Sequence, residues 1–452
     1  MAHPPRQNRP DQSQAWRGPK RPRPKRDTET REVPGLPARR AALKIIDAVL
    51  HRGEPLDRVA NGATQGMPAQ ADRALAIAIA IEVLRHLPAL DALIDGAMRN
   101  PVDSNVKVRS VMRLALVQHF KMETPPHAIL ATALPLLAGG PRRLAHGVLG
   151  TIFRSEARLP EIAQLPEDVV ARWEEAWGQD MVAAASVAFA HQPPIDLTLR
   201  DPGETEKWIT TLGGTSLMPG HVRLDTPGSI AALDGYDEGA WWVQDIAAAM
   251  PARLLGAGDG ARVLDLCAAP GGKSLQLAAA GWDVVAVDKS ARRLERMAEN
   301  IERSGLTVAT TAADILEWQP DAPVDAVLLD APCSATGIFR RHPDVLYRVR
   351  DGDIAELAEL QAACLARVAQ WVKPGGRLVY ATCSLEPAEG EAQVERFLAE
   401  QPGWEIERID TKEIAPGMTV AEKGWLRIMP PILAEAGGAD GFFIARLHKT
   451  QG

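Results

Sequence analysis

Residues 263–274 read VLDLCAAPGGKS. An apolar run meets a turn of small residues, two glycines close the turn, and Lys and Ser begin a helix. The pattern is strand, tight turn, helix. A Walker-type phosphate loop needs Gly five positions before Gly272, where Cys267 stands, and the dinucleotide pattern G-x-G-x-x-G is absent. What is left is a turn at Gly271 and Gly272 that lets a ligand approach the backbone closely. Working outward, the same unit recurs. WDVVAVD (282–288), TVATTAAD (307–314), DAVLLDAPC (325–333), RLVYATC (377–383) and DGFFIARL (440–447) alternate with helical stretches. Strands interleaved with helices predict a doubly wound, Rossmann-like α/β sheet. Ligands of such sheets bind beyond the carboxyl ends of the strands.

Upstream the periodicity changes. ARRAALKIIDAVLHRG (38–53) places Ala42, Ile45, Ile46, Val49 and Leu50 on one face and stops at Gly53. DRALAIAIAIEVLRHLPALDALIDGAM, VKVRSVMRLALVQHFKM and RRLAHGVLGTIFRS continue at helical spacing. Five to seven helices over residues 37–160 are expected. LPEDVVARWEEAWG (165–178) reads as a capped amphipathic helix. IDLTLR, HVRLD and SIAAL read as short strands, so 161–238 is expected to be a linker or small α+β module. The doubly wound domain is expected at 239–452. Residues 1–36, rich in Pro, Arg, Gln and Lys, are expected to be a disordered basic tail.

Composition narrows the classes further. The net charge of −7 hides a tail: residues 1–40 carry 11 Lys/Arg and four acids. A basic arm on an acidic body suits a polyanion such as RNA, or is simply solvated. No stretch approaches 18 uninterrupted apolar residues, so no membrane span is expected, and no signal peptide is visible. Four cysteines at irregular spacing give no disulfide framework, and a reducing cytoplasm is the expectation.

The polar residues fall at strand ends. Asp288, 23 residues after Asp265, suits ribose hydroxyls. Asp314 follows the third strand-like run and suits an adenine amino group. Asp330 and Cys333 follow the fourth run, and Cys383 follows the fifth. Adjacent strand tips lie about 5 Å apart, so the two thiols are placed to flank one cleft. No Cys-x-x-Cys or His pair completes a zinc site, and no metal is expected. An isolated cysteine is usually core; two at matching tips beside an acid favour chemistry. Cys364, on QAACLARVAQWV, reads as core.

DLCAAPGGKS, DAPCSATG and YATCSLEPAEGE resemble the signature motifs of the Sun family of S-adenosylmethionine-dependent RNA (cytosine-5) methyltransferases. GAWWVQDIAAAM (239–250), GIFRRHPDV (337–345) and DGFFIARL are similar to that family as well. The helical block resembles the NusB-like RNA-binding domain of its bacterial 16S ribosomal RNA members. Two stretches depart from the usual form: Glu82 in EVLR stands where Gly is usual, and HGVLGTIFR (146–154) differs.

The resemblance implies Cys383 as nucleophile and Cys333 as the thiol that assists elimination and product release. It implies Lys273 and Asp330 as their neighbours, with Asp330 on the cytosine edge. S-adenosylmethionine is expected along Cys267, Ala268, Ala269, Pro270, Gly271, Gly272 and Lys273, with Asp288, Asp314 and Asp330 as further contacts. Arg340, Arg341 and His342 are expected on the RNA backbone. The expected partner is 16S ribosomal RNA, and a monomer is expected. Transfer RNA as substrate and a non-catalytic assembly factor are the other readings.

Overall fold

The computed structural model describes residues 1–2, 33–103, 106–225 and 228–451. The expected disordered tail lies almost wholly outside the described residues. Helices α1 (Leu36–Arg52), α2 (Leu56–Thr64), α3 (Gln70–Arg85), α4 (Leu87–Gly96), α5 (Lys107–Phe120), α6 (Pro126–Ala133) and α7 (Gly139–Arg154) form the first block. α1 has Pro in its first turn and ends at Gly53, whose φ of 63° supplies the left-handed cap. α5 is buried from Val108 to Gln118, and α1, α3, α4, α6 and α7 all pack on it. Two of its buried residues are arginines. Arg113 grips Asp91 of α4 through two bonds of 2.7 and 2.8 Å, and Arg109 meets Asp91 and Asp95. Each buried charge is therefore paired, as low dielectric demands.

α8 (Glu167–Trp177) and α9 (Gln179–Ala190) follow. No side chain caps α8 at its start; Pro166 precedes it. This pair packs on the catalytic portion: Trp173 and Phe189 both meet Phe339, with ring centroids 5.5 and 5.8 Å apart. Next, β1 (Ile195–Leu199), β2 (His221–Leu224) and β3 (Trp241–Val243) make an antiparallel sheet in the order β2-β1-β3, with α10 (Thr205–Leu212) beside it. Two expectations change here. SIAAL is a 3-10 turn at Ile230–Ala232 and adds to neither edge of this sheet. Trp241–Val243, expected within the catalytic portion, is a strand of this small sheet; buried Trp241 packs with Leu197 and Trp208.

The catalytic portion contains α11 (Ile246–Arg253), β4 (Arg262–Leu266), α12 (Gly272–Ala279), β5 (Asp283–Asp288), α13 (Ala291–Ser304), β6 (Ala309–Ala312) and β7 (Val324–Asp330). It continues through α14 (Val345–Arg348), α15 (Asp351–Val368), β8 (Val372–Thr382), α16 (Glu391–Glu400), β9 (Trp404–Ile406), β10 (Leu426–Ile428) and β11 (Phe442–Lys449). The strand order is β10-β11-β8-β7-β4-β5-β6, with β9 on β11. β4 to β8 are parallel, and β11 enters antiparallel. Side chains alternate between two covered faces. Val263, Leu328 and Val379 pack toward α11 and α12; Leu264, Leu329 and Tyr380 pack toward α15 and α16. Burial on both faces is why these strands read as continuous apolar runs.

A few side chains join the helical block to the rest, and Arg85 makes the most bonds among them. Arg85, buried at the end of α3, donates to the carbonyls of Phe189 (2.5 Å), His191 (3.1 Å) and Arg340 (2.9 Å). Glu82, the residue that departs from the family's usual Gly, pairs with its Nε at 3.3 Å. Burial raises the Glu82 carboxyl, but His86, whose Nε2 lies 3.5 Å away, and the charge of Arg85 outweigh it and hold the acid low. Tyr347 OH donates to Leu84 O at 2.7 Å, and Leu56 N to Asp344 at 3.2 Å, across the same seam. Arg85→Met would leave three carbonyls and Glu82 without their donor. It should cost about 3–5 kcal/mol, read as a lower urea midpoint by tryptophan fluorescence with S-adenosylmethionine affinity retained.

Candidate active site

β7 and β8 run parallel with Asp330 opposite Ala381, so both chains leave the sheet at one edge. Cys333 and Cys383 meet there, with their sulfurs 3.5 Å apart. The hydrogen bond to Cys383, burial, and the negative charges of Cys383 and Glu389 all push the Cys333 thiol well above its ordinary range. Lys273, in the first turn of α12, places Nζ 2.8 Å from Asp330. It also lies 5.5 Å from the Phe442 ring centroid. Burial opposes its charge, but Asp330 outweighs burial and holds the ammonium protonated; Asp265 and Cys383 act in the same sense.

A cavity of about 480 Å³ opens along these strand tips, within the size range of small-molecule sites. Cys267, Asp288, Asp314, Asp330, Cys333 and Cys383 all line it. Asp288 is already ordered: it accepts from Ala269 N (3.1 Å) and Ser290 N (2.8 Å) and lies 3.2 Å from Arg293. Asp314 accepts from Lys289 Nζ (2.8 Å) and Leu316 N (3.0 Å), and these bonds hold its carboxyl low. Cys267 has a φ of 61°, the left-handed conformation that turns the chain out of β4. The rest of the expected cofactor stretch behaves differently. Ala268 and Ala269 are buried, Pro270 faces out, and a Cβ on Gly271 would meet Met297 at 2.7 Å. Of this turn, Cys267 alone borders the cavity.

The expected RNA contacts need correction. Arg340 is buried, with bonds to Asp440 (3.2 Å), Gly437 O (2.8 Å) and Asp245 (3.5 Å). Arg341 holds the same two carboxylates at 2.8 and 3.2 Å. The Arg340 guanidinium is thus enclosed, while that of Arg341 is paired with carboxylates but part-exposed. His342 sits at the domain seam, 3.7 Å from Asp57. Arg293, Leu360 and Cys364 border the cavity without having been singled out for it. Arg293 sits in a run of charges on a helix, which gives no distinguishing signal; Cys364 is buried as expected but also reaches the cavity wall. Another cavity, of about 420 Å³ between the small sheet and α11–α12, contains none of the expected residues. Among the described residues, no cluster of three His, Cys, Asp or Glu is placed to hold a metal. No helix among them is long and apolar enough to cross a membrane.

Residues 252–448 match the family described as 16S rRNA methyltransferase RsmB/F, and residues 36–139 match the NusB family. Ribosomal RNA small subunit methyltransferase B of Klebsiella pneumoniae (strain 342) is 35% identical over 438 residues, covering 91% of this chain and 98% of its own. The protein of that name from Salmonella arizonae is 35% identical over 444 residues, with the same coverage. The crystal structure of PH0851 superposes with a TM-score of 0.70 at 22% identity, covering 92% of this chain and 99% of that one. NSun6 from Pyrococcus horikoshii, solved with SFG, gives 0.55 at 18% identity over 64% of this chain and 99% of its own. The fold and the relatives together define a methyltransferase with a doubly wound catalytic domain. More narrowly, the chain belongs to the 16S rRNA methyltransferase RsmB/F family.

Asp265, at the tip of β4, is fully buried; Ser274 donates to one oxygen and the other has no partner. Burial, reinforced by the charges of Asp330 and Asp288, pushes its carboxyl up to about 7, against the Ser274 bond and Lys273. The unfolded value is about 3.9. The folded state therefore binds the extra proton between these values, and stability from this group falls as pH rises through that window. The destabilisation caused by Asp265→Asn should shrink between pH 5 and pH 8, read from urea midpoints of both proteins.

Proposed function

We propose that the protein transfers a methyl group to carbon 5 of a cytosine in small-subunit ribosomal RNA, through a covalent adduct to Cys383. The observation that carries this is the pair of thiols at adjacent strand tips, beside the Lys273–Asp330 pair and at one end of the cavity that also holds Asp288 and Asp314. The donor set fits S-adenosylmethionine: carboxylates for hydroxyl and amino donors, and an apolar wall from Leu360, Ile315 and Leu316. Asp288 and Asp314 would hold its nucleoside. When bound, it supplies an electrophilic methyl group.

Carbon 5 of cytosine is a poor nucleophile. Addition of the Cys383 thiolate to carbon 6 pushes the ring electrons toward carbon 5, and ring nitrogen 3 takes a proton. A free thiol ionises near 8.5, and the ammonium of Lys273 lies near enough to Cys383 to interact with it electrostatically. Asp330, ordered by Lys273, accepts from the protonated ring edge. After methylation the carbon 5 proton passes to solvent, and its electron pair restores the 5,6 double bond. Cys383 departs with the pair of the carbon–sulfur bond, and ring nitrogen 3 gives up the proton it took. Cys333, kept as a thiol, assists that departure. The cytosine must be unstacked to reach this cleft.

Cys383→Ala should lower methyl transfer by at least about 10³-fold, with S-adenosylmethionine affinity unchanged by calorimetry. Full activity in that variant would overturn the nucleophile assignment. Cys333→Ala should accumulate a protein–RNA adduct, seen as a shifted band on a denaturing gel. Bisulfite sequencing of total RNA with and without the protein identifies the nucleotide, and a transfer RNA site there would replace the ribosomal reading.

A further inference from the structure

Beneath the two thiols lies a carboxylate to which the mechanism assigns nothing. Glu389 is fully buried. One oxygen accepts from Ser334 N (2.9 Å) and Gln361 Nε2 (2.9 Å). The other accepts from Ser384 Oγ (2.6 Å) and Ser334 Oγ. Its backbone carbonyl accepts from Tyr380 OH (2.8 Å) and Thr382 Oγ1 (3.2 Å). The serines are the residues that directly follow Cys333 and Cys383. Gln361 also donates to the carbonyl of Pro332, the residue before Cys333 (2.9 Å). One carboxylate thus ties the two cysteine loops to each other from below.

We infer that Glu389 is a positioning residue that fixes the separation of Cys333 and Cys383 and keeps negative charge beneath Cys333. Four donors around one buried carboxylate exceed what holding a single turn requires. They converge from both loops, so a shift of either loop breaks bonds to the other. The placement also sorts the thiols electrically. The ammonium of Lys273 acts on Cys383, and the carboxylate of Glu389 acts on Cys333. A thiol that assists departure of another sulfur serves best while it carries its proton, and a neighbouring negative charge favours that state. The inference rests on the proposed roles of the two cysteines.

The test uses the full-length chain. Glu389→Gln keeps the volume but removes the charge and half the acceptors. It should lower kcat for methyl transfer by roughly 30- to 100-fold, with KM for S-adenosylmethionine within about twofold. In a Cys383→Ser background, iodoacetamide labelling of Cys333, followed by peptide mass, should show its pH midpoint fall by roughly one unit on Glu389→Gln. That labelling needs no RNA, so it is independent of the reaction.

Ser384→Ala and Ser334→Ala each cut one tie with a small change and decide the matter if Glu389→Gln does not fold. Ser384→Ala should slow adduct formation, and Ser334→Ala should make the adduct band persist. An unmoved labelling midpoint, or serine variants that turn over within about threefold of the native chain, overturns the inference. Retained activity in Cys383→Ala would instead overturn the proposed mechanism and leave the labelling result standing.

Discussion

Parallel strands leave a sheet at the same edge, and β7 and β8 do so side by side. Asp330 faces Ala381 across the ladder; three residues later comes Cys333, and two residues later Cys383. Reversing either strand would carry its cysteine to the far edge, about 23 Å away for a seven-residue strand. The surrounding loops are cut to this meeting. Gly337 N donates to Cys383 O at 2.9 Å, and Gly441 N donates to Gly337 O at 2.8 Å. A Cβ on Gly337 would lie 2.1 Å from Gly441 O and 2.9 Å from Cys383 O, so only glycine lets β11's approach and the β8 tip lie this close.

The edge where the strands end concentrates buried charge, which low dielectric makes expensive unless each group finds a partner. Lys273 has Asp330, Arg340 and Arg341 have Asp245 and Asp440, and Glu389 has its donors. Asp265 is resolved differently: burial pushes its carboxyl up to about 7, so that it holds its proton far above the usual carboxylate range. Two chemically identical thiols 3.5 Å apart therefore have unlike charged neighbours, Lys273 near Cys383 and Glu389 near Cys333. That asymmetry comes from residues on α12 and on the turn before α16, not from the cysteines themselves.

The doubly wound sheet was legible because its strands are covered on both faces and so read as apolar runs of strand length. The helical block was legible from its 3.6-residue period, down to the stop of α1 at Gly53. The place of both thiols followed from counting to the strand tips. Their separate roles came from family resemblance. Other features were hidden for physical reasons. Arg340 and Arg341 look like a solvated charged loop, because their carboxylates are 95 to 100 residues away in sequence. Within Ala268–Gly272, Ala268, Ala269 and Gly271 are buried, with Gly271 against Met297, while Pro270 faces out. SIAAL has strand-like composition but folds as a 3-10 turn beside the small sheet. Glu389 stands in a polar segment, and nothing local announces that it will be enclosed.

The seam at Arg85 is read almost entirely through backbone carbonyls. Every residue type offers the same carbonyl, so the contact constrains its two sides unequally. His191, whose side chain is exposed, can change identity freely while still presenting its oxygen. Arg85 cannot, since no other side chain spreads five donors in a planar fork. Drift at such a junction is one-sided: the surfaces around the arginine can diverge between relatives while the two halves of the chain keep the same docking.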